Sequence, residues 1–150
     1  MHIWIDGDGC PGAVKDMVYR AAERLDLSTT VVADRPVKVP GGALFKAVVV
    51  PRGIDAADDY IVLHVERGDL VITQDIPLAG ECVDKGASAI EPRGELLDKD
   101  SIGARLSMRN FREELRTTVG LSGGPPPFGE KDRRRFAGSL DRFLAKNARK

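Results

Sequence analysis

Three short stretches of the chain concentrate carboxylates at spacings that can bring them to bear on one point. The first is Asp6-Gly7-Asp8-Gly9-Cys10-Pro11, where an apolar run ends and a helical pattern begins. In open α/β sheets, ligands bind outside the carboxyl ends of the strands, so Asp6 and Asp8 face the crevice where such folds place their chemistry. Gly7 and Gly9 are expected to let the backbone turn tightly enough for both side chains to converge. The simpler alternative is that Asp8 caps the following helix and Asp6 serves a turn. The second stretch, Leu70-Val71-Ile72-Thr73-Gln74-Asp75, again delivers a polar pair to the end of a β-rich run. Thr73 and Asp75 alternatively cap the helix that begins near Pro77. The third is Asp55-Ala56-Ala57-Asp58-Asp59, whose spacing puts Asp55 and Asp58 on one side of a helix start. Acids there also complement the helix dipole.

Acids gathered at one sheet edge repel one another unless a cation neutralises them. Hard oxygen ligands suit Mg²⁺ or Mn²⁺, whereas zinc would call for His or Cys in an arrangement this sequence lacks. His2 and His64 are expected to be structural or exposed. Cys10 stands at a helix N-terminus, which lowers a thiol pKa, but its neighbouring carboxylates push the other way, so no thiol chemistry is expected.

The elements that must position these residues follow from hydrophobic periodicity. Short apolar runs alternate with segments of helical period, as in βαβ units wound on a parallel sheet. Strands are expected at His2–Asp6, Thr29–Ala33, Phe45–Val50, Asp69–Thr73 and Ala87–Glu91. Val14, Met17, Val18, Ala21, Ala22 and Leu25 recur at threes and fours, which predicts a helix whose first turn accommodates Pro11. Further helices are expected from about Asp55 to Val65, over Ile76–Gly86 with Gly86 as its stop, from about Asp100 to Thr118, and around Phe136, Leu140, Phe143 and Leu144. Asp34–Gly42 reads as a loop and Pro92-Arg93-Gly94 as a break. Gly123-Gly124-Pro125-Pro126-Pro127-Phe128 reads as a stiff connector, pinned to the body by Phe128.

A chain of 150 residues has the size of one domain and buries a core without staples. Cys10 and Cys82 form neither a disulfide framework nor a zinc motif, which fits a reducing cytoplasm. No run is apolar for long enough to act as a signal segment or a membrane span, so a soluble protein is expected. Charge is distributed unevenly. Residues 1–97 hold 10 Lys/Arg and 16 Asp/Glu, a balance of −6, and residues 98–150 hold 13 and 7, a balance of +6. The expected organisation is a single domain over 1–150, with an acidic βα core (1–97) and a basic helical extension (98–150). The basic part is either an Arg-rich solvated surface or a surface that tracks phosphates beside the acidic edge.

Several motifs together resemble the uncharacterised bacterial YaiI/YqxD family over nearly the whole chain. They are Asp6-Gly7-Asp8-Gly9-Cys10-Pro11, Gly53-Ile54-Asp55-Ala56-Ala57-Asp58, Gly68-Asp69-Leu70-Val71-Ile72-Thr73-Gln74-Asp75-Ile76-Pro77-Leu78-Ala79, Pro92-Arg93-Gly94-Glu95 and Gly123-Gly124-Pro125-Pro126-Pro127-Phe128. That family usually has alanine where this chain has Gly7 and Gly9, a departure that spares both carboxylates. The family is similar in turn to PIN-like domains, metal-dependent ribonucleases with a doubly wound open parallel sheet. These use a strand-terminal aspartate, a mid-chain helical acid and a Thr-x-Asp. Asp6, Asp58 and Thr73-x-Asp75 match those parts in order, and the resemblance leaves the fourth acid open between Asp8 and Glu95.

The resemblance thus implies phosphodiester hydrolysis, with RNA favoured. Asp6, Asp8, Asp58 and Asp75 would hold one or two Mg²⁺ or Mn²⁺ ions, and Thr73 would orient Asp75 or a bound water. Arg105, Arg109, Arg112, Arg116 and Arg133-Arg134-Arg135 are the expected backbone contacts. With only 8 aromatic residues, several needed in the core, no base-stacking platform is expected. Two other classes compete. A haloacid-dehalogenase-type phosphatase would use Asp6-x-Asp8 as nucleophile and general acid, but it would want its acidic pair after the threonine strand, and Asp58-Asp59 comes before it. A non-catalytic RNA- or protein-binding module would keep the acids for stability or a regulatory cation.

Overall fold

A computed structural model describes residues 1–53, 55–108 and 127–148. It contains strands β1 (His2–Asp6), β2 (Ser28–Ala33), β3 (Phe45–Val49), β4 (Leu70–Ile72), β5 (Ser88–Ile90) and β6 (Leu96–Leu97). The helices are α1 (Gly12–Leu25), α2 (Ala56–His64), α3 (Ile76–Asp84), α4 (described over 102–108) and α5 (Glu130–Asn147). One sheet of order β3-β2-β1-β4-β5-β6 holds all six strands, parallel except for β6, which runs antiparallel to β5.

The central strands β1 and β4 are apolar through their middles, Ile3-Trp4-Ile5 and Leu70-Val71-Ile72, because they are covered on both faces. Side chains alternate across a strand, so Ile3 and Ile5 enter one core while Trp4 enters the other; Leu70 and Ile72 are likewise separated from Val71, and Ile90 from Ala89. Helices α1 and α5 close the first core, and α2, α3 and α4 close the second. From β1 the chain winds outward through β2 and β3, then crosses back to β4 and winds the other way. This reversal puts the topological switch point between β1 and β4, where Ile3, Trp4 and Ile5 pair with Leu70, Val71 and Ile72.

Parallel neighbours need a crossover, usually a helix. Between β2 and β3 the expected loop takes that place, laying Val37, Val39 and Leu44 on the first core. Strand β6 is the element that periodicity did not predict. Two residues carry no period, and the strand exists because Glu91 and Gly94 close a turn: Gly94 N–H donates to Glu91 O (2.8 Å) and Glu91 N–H to Glu95 O (2.9 Å). Gly94 has a φ of 99°, which the Pro-Arg-Gly break supplies.

The segment from 98 onward is basic in composition, yet α5 is a layer of the sandwich rather than an appendage to it. Phe136 is fully buried, Leu140 and Leu144 nearly so, and all three share the first core with Ile3 and Ile5. Phe128 packs against the same core, as expected of the connector's end. Arg109, Arg112, Arg116 and residues 123–126 lie outside the described residues. Among the described residues no helix is long and apolar enough to cross a membrane.

Candidate functional site

Strands β2, β1 and β4 lie side by side, and aspartates stand at or just beyond the carboxyl end of each: Asp34, then Asp6 and Asp8, then Asp75. The start of α2 brings Asp55 and Asp58 to the same edge. Together these line an open cleft of about 330 Å³ with Gly9, Gly53 and Gln74, and among the described residues no lysine or arginine lines it. The tertiary structure thus unites the three stretches singled out above. Asp34, at the start of the loop after β2, joins them, and its sequence signal is Val31-Val32-Ala33-Asp34, a third apolar run ending in an acid.

Thr73 ties the two sides of the switch point together. Its hydroxyl donates to Asp6 Oδ2 (2.9 Å) and accepts from the backbone N–H of Asp75 (3.0 Å), so the proton points toward the Asp6 carboxylate. Asp75 caps α3 as the simpler reading expected, its Oδ1 accepting from Leu78 N–H (3.0 Å). The cap holds the carboxylate in place while leaving it on the cleft wall. Asp8 does not cap α1, because the residue before that helix is Pro11 and no side chain caps it. Asp8 instead accepts from the backbone N–H of Asp34 (3.2 and 3.3 Å), linking the ends of β1 and β2. Asp55 caps α2 by backbone alone, with a φ of 64°.

The chain turns at Gly7-Asp8 and bends at Gly9, as expected, and neither glycine takes a left-handed conformation to do so. They allow close approach. A Cβ on Gly7 would stand 2.8 Å from Val31 Cγ1, and one on Gly9 would stand 2.9 Å from Gln74 Nε2.

The electrostatics of the cleft are those of like charges held together. Burial raises the Asp6 pKa, opposed by the Thr73 hydrogen bond and reinforced by Asp8 and Asp75. Asp58 is pushed up to about 7, first by burial and then by Asp75, whose carboxyl is within hydrogen-bonding reach, with Asp6 and Asp55 adding to it. A carboxyl crowded by like charges in this way is poised to exchange its proton for a cation. Among the described residues no three acidic, His or Cys side chains meet as a closed ligand set. Mg²⁺ keeps several waters and takes one or two carboxylates, so an open wall of oxygen ligands fits it, or Mn²⁺, better than a cage would.

The other sequence-predicted residues fall elsewhere. Arg105 is bound by Glu91 (Nη2 to Oε1, 2.9 Å; Nε to Oε2, 3.1 Å) and by Glu95 (3.2 Å), and it fastens the β5–β6 turn to α4. Its guanidinium is therefore engaged by carboxylates, and Glu95, the other candidate for the fourth acid, is outside the cleft. Arg133 and Arg134 are exposed on α5, Arg134 in a loose pair with Glu130 (3.8 Å). His2 bonds Thr30 Oγ1 (2.8 Å) and His64 stacks on Tyr60, and neither lines the aspartate cleft. Cys10 is buried with its thiol pushed up to about 12 by burial, which disfavours thiolate chemistry as expected. A larger hollow of about 620 Å³ lies at the opposite sheet edge, where Arg67, Lys85 and Lys99 face Asp84, Asp98 and Asp100. Its mixed charge lacks the single-sign field of the aspartate cleft.

Comparison with known proteins agrees with the motif resemblance. The UPF0178 protein Tgr7_2584 of Thioalkalivibrio sulfidiphilus is 51% identical over 146 residues, covering 97% of this chain and 99% of the relative. The UPF0178 protein BAV3236 of Bordetella avium is 49% identical over 148 residues, covering 99% and 96%. The UPF0178 protein PBPRA1738 of Photobacterium profundum is 47% identical over 150 residues, the full length of both. No solved structure matches. A family model described as "uncharacterized BCR, YaiI/YqxD family" matches residues 4–146, and the chain belongs to that family.

Proposed function

We propose that this protein is a PIN-like, divalent-cation-dependent phosphodiesterase that acts on RNA in the cytoplasm. The observation that carries the reading is the single cleft at the β1/β4 switch point, lined by Asp6, Asp8, Asp58 and Asp75 with no basic residue among the described residues that line it. Asp6, Asp8, Asp58 and Asp75 would hold Mg²⁺ or Mn²⁺. Such an ion supplies Lewis-acid stabilisation of phosphate charge and a more acidic bound water.

The chain's own groups prepare that site. Thr73 orients Asp6 by donating to one carboxylate oxygen, and the Asp75 amide fixes the direction of that donation. The α3 cap sets the rotamer of Asp75, and the Asp34 amide restrains Asp8. Gln74 is exposed at the cleft wall between the β1 and β4 acids, an amide able to donate to a phosphate oxygen. An aspartyl-phosphate route is disfavoured, because Asp6 is only 8% exposed and its oxygen is engaged by Thr73.

The experiment is calorimetric titration of Mn²⁺ and Mg²⁺ into wild type, Asp6→Asn and Asp75→Asn, followed by cleavage assays on end-labelled RNA and DNA. Asparagine caps a helix about as well as aspartate, so these variants remove charge with little change in shape. Binding and cleavage lost in both variants support the reading. A wild type that binds neither ion overturns it and favours a non-catalytic module.

A further inference from the structure

Along the seam between α5 and the β5–β6 turn runs a groove of about 350 Å³, lined by Gly94, Arg134, Arg135, Gly138, Ser139 and Arg142. Among the described residues it holds three guanidiniums and no carboxylate. Ser139 and Arg142 also border the next hollow, about 270 Å³, which Lys146 and Asn147 extend. The four cations Arg134, Arg135, Arg142 and Lys146 are all exposed and span about 18 Å at the helical rise.

The acids near this lane are occupied elsewhere. Asp132 is held by Arg93 (2.8 Å) and by the Gly129 amide (3.1 Å), and Asp141 faces Arg24 (3.7 Å). Asp98, which borders the second hollow, accepts from the amides of Asp100 and Ser101 (2.9 and 3.1 Å). Glu130 reaches Arg134 only at 3.8 Å, with both side chains mostly in solvent. No carboxylate among the described residues pairs with Arg135 or Arg142.

The groove is built, not merely charged. A Cβ on Gly94 would stand 2.7 Å from the Arg135 carbonyl carbon, so the turn can meet the helix this closely only with glycine. The Ser139 hydroxyl donates to the Gly94 carbonyl and locks the seam. Arg142 lies across the bare backbone of Gly138, its Nη1 3.1 Å from where a Cβ would be, and its Nη2 reaches Ser139 Oγ (3.5 Å).

Orientation links this lane to the aspartate cleft. Arg135 abuts Gly94, beyond the carboxyl end of β5, whereas Phe143, Lys146 and Asn147 border Ser88 at the strand's amino end. The lane therefore opens at the sheet edge that carries the cleft, offset by the two strand spacings from β1 to β5, or about 10 Å.

We propose that this groove is a phosphate lane for a nucleic-acid strand, with Arg134, Arg135, Arg142 and Lys146 contacting successive phosphates. Guanidiniums match phosphate oxygens bidentately, and the first groove offers no apolar pocket to anchor an acidic peptide. The inference deepens the phosphodiesterase reading and rests on it only for the identity of the polyanion.

The test is fluorescence anisotropy of labelled single-stranded RNA with the full chain in EDTA, at several salt concentrations. Wild type is compared with the double variant Arg135→Gln/Arg142→Gln and with Arg135→Lys/Arg142→Lys. Losing two phosphate contacts lowers the slope of log affinity against log salt by about 1.4, because each contributes about 0.7 on a single strand. Between about 50 and 200 mM salt the glutamine variant then loses about sevenfold less affinity than wild type. The lysine variant keeps the wild-type slope. A glutamine variant with wild-type affinity and slope overturns the lane, as does polyglutamate that competes as well as RNA at equal charge. A lane that survives alongside a wild type unable to cleave with Mn²⁺ overturns the nuclease reading alone.

Discussion

Asp6 and Asp69 are both buried aspartates, 8% and 6% exposed, at opposite ends of the same pair of central strands. Asp69, just before β4, accepts from the backbone N–H of His2 (2.9 Å), the indole of Trp4 (3.1 Å) and the backbone N–H of Glu66 (2.9 Å). Asp6, at the end of β1, accepts from the Thr73 hydroxyl and faces Asp8 and Asp75. One end of the sheet surrounds its carboxylate with donors, and the other surrounds it with more carboxylates. A buried charge with several N–H partners holds a fold together, whereas one facing like charges is held in place by the fold around it. The amino edge is where the sheet is fastened, and the carboxyl edge is where it can accept a ligand.

The contrast is open to measurement. Asp69→Ala strands the three N–H donors, one of them the buried indole of Trp4, and is expected to cost about 4 kcal/mol in urea unfolding. A loss below about 1 kcal/mol would erase the difference between the two ends. Arg105→Ala should cost about 2 kcal/mol by leaving Glu91 buried beside Glu95, yet keep the Mn²⁺ affinity of wild type in calorimetry.

Asp58 makes the carboxyl edge sensitive to pH. Its folded-state pKa is raised to about 7 from an ordinary 3.8, so its stabilising contribution is complete below about pH 4 and is lost as pH rises through about 7. The cation-free protein should lose about 1 kcal/mol over that window, a figure reduced for solvent screening at this partly exposed site, and Asp58→Asn should flatten the profile. Asp6→Asn is the mildest for stability. It relieves repulsion and keeps an acceptor for Thr73, so unfolding should stay within about 1 kcal/mol of wild type, on the stabilised side, while Mn²⁺ binding disappears. A large destabilisation by Asp6→Asn would place Asp6 with Asp69 as a fastening residue.

The same two-ended view explains which arginines sequence could assign. Arg105, Arg133 and Arg134 look alike in a basic C-terminal third. The fold engages Arg105 with Glu91 and Glu95, 14 and 10 positions earlier, and leaves Arg134 beside Arg135 and Arg142 on an open seam. Charge composition carries no information about such pairing. Gly94 shows the same limit: its Pro-Arg-Gly context announces a turn, but only the approach of Arg135 explains why glycine is needed there.

By itself the sequence determined the α/β class, the strand ends and the aspartates placed on them, because apolar runs and helical periods are local and a strand's end falls where its apolar run stops. It also specified the α3 cap at Asp75 and the loop between β2 and β3, both signalled by neighbouring residue types. Only the tertiary structure decided that β1 and β4 are neighbours, and therefore that Thr73 reaches Asp6 across 67 positions of chain. Strand order, the union of Asp34 with the other acids, and the pairing of each charge depend on long-range packing of the two cores. No short window of residues records that information.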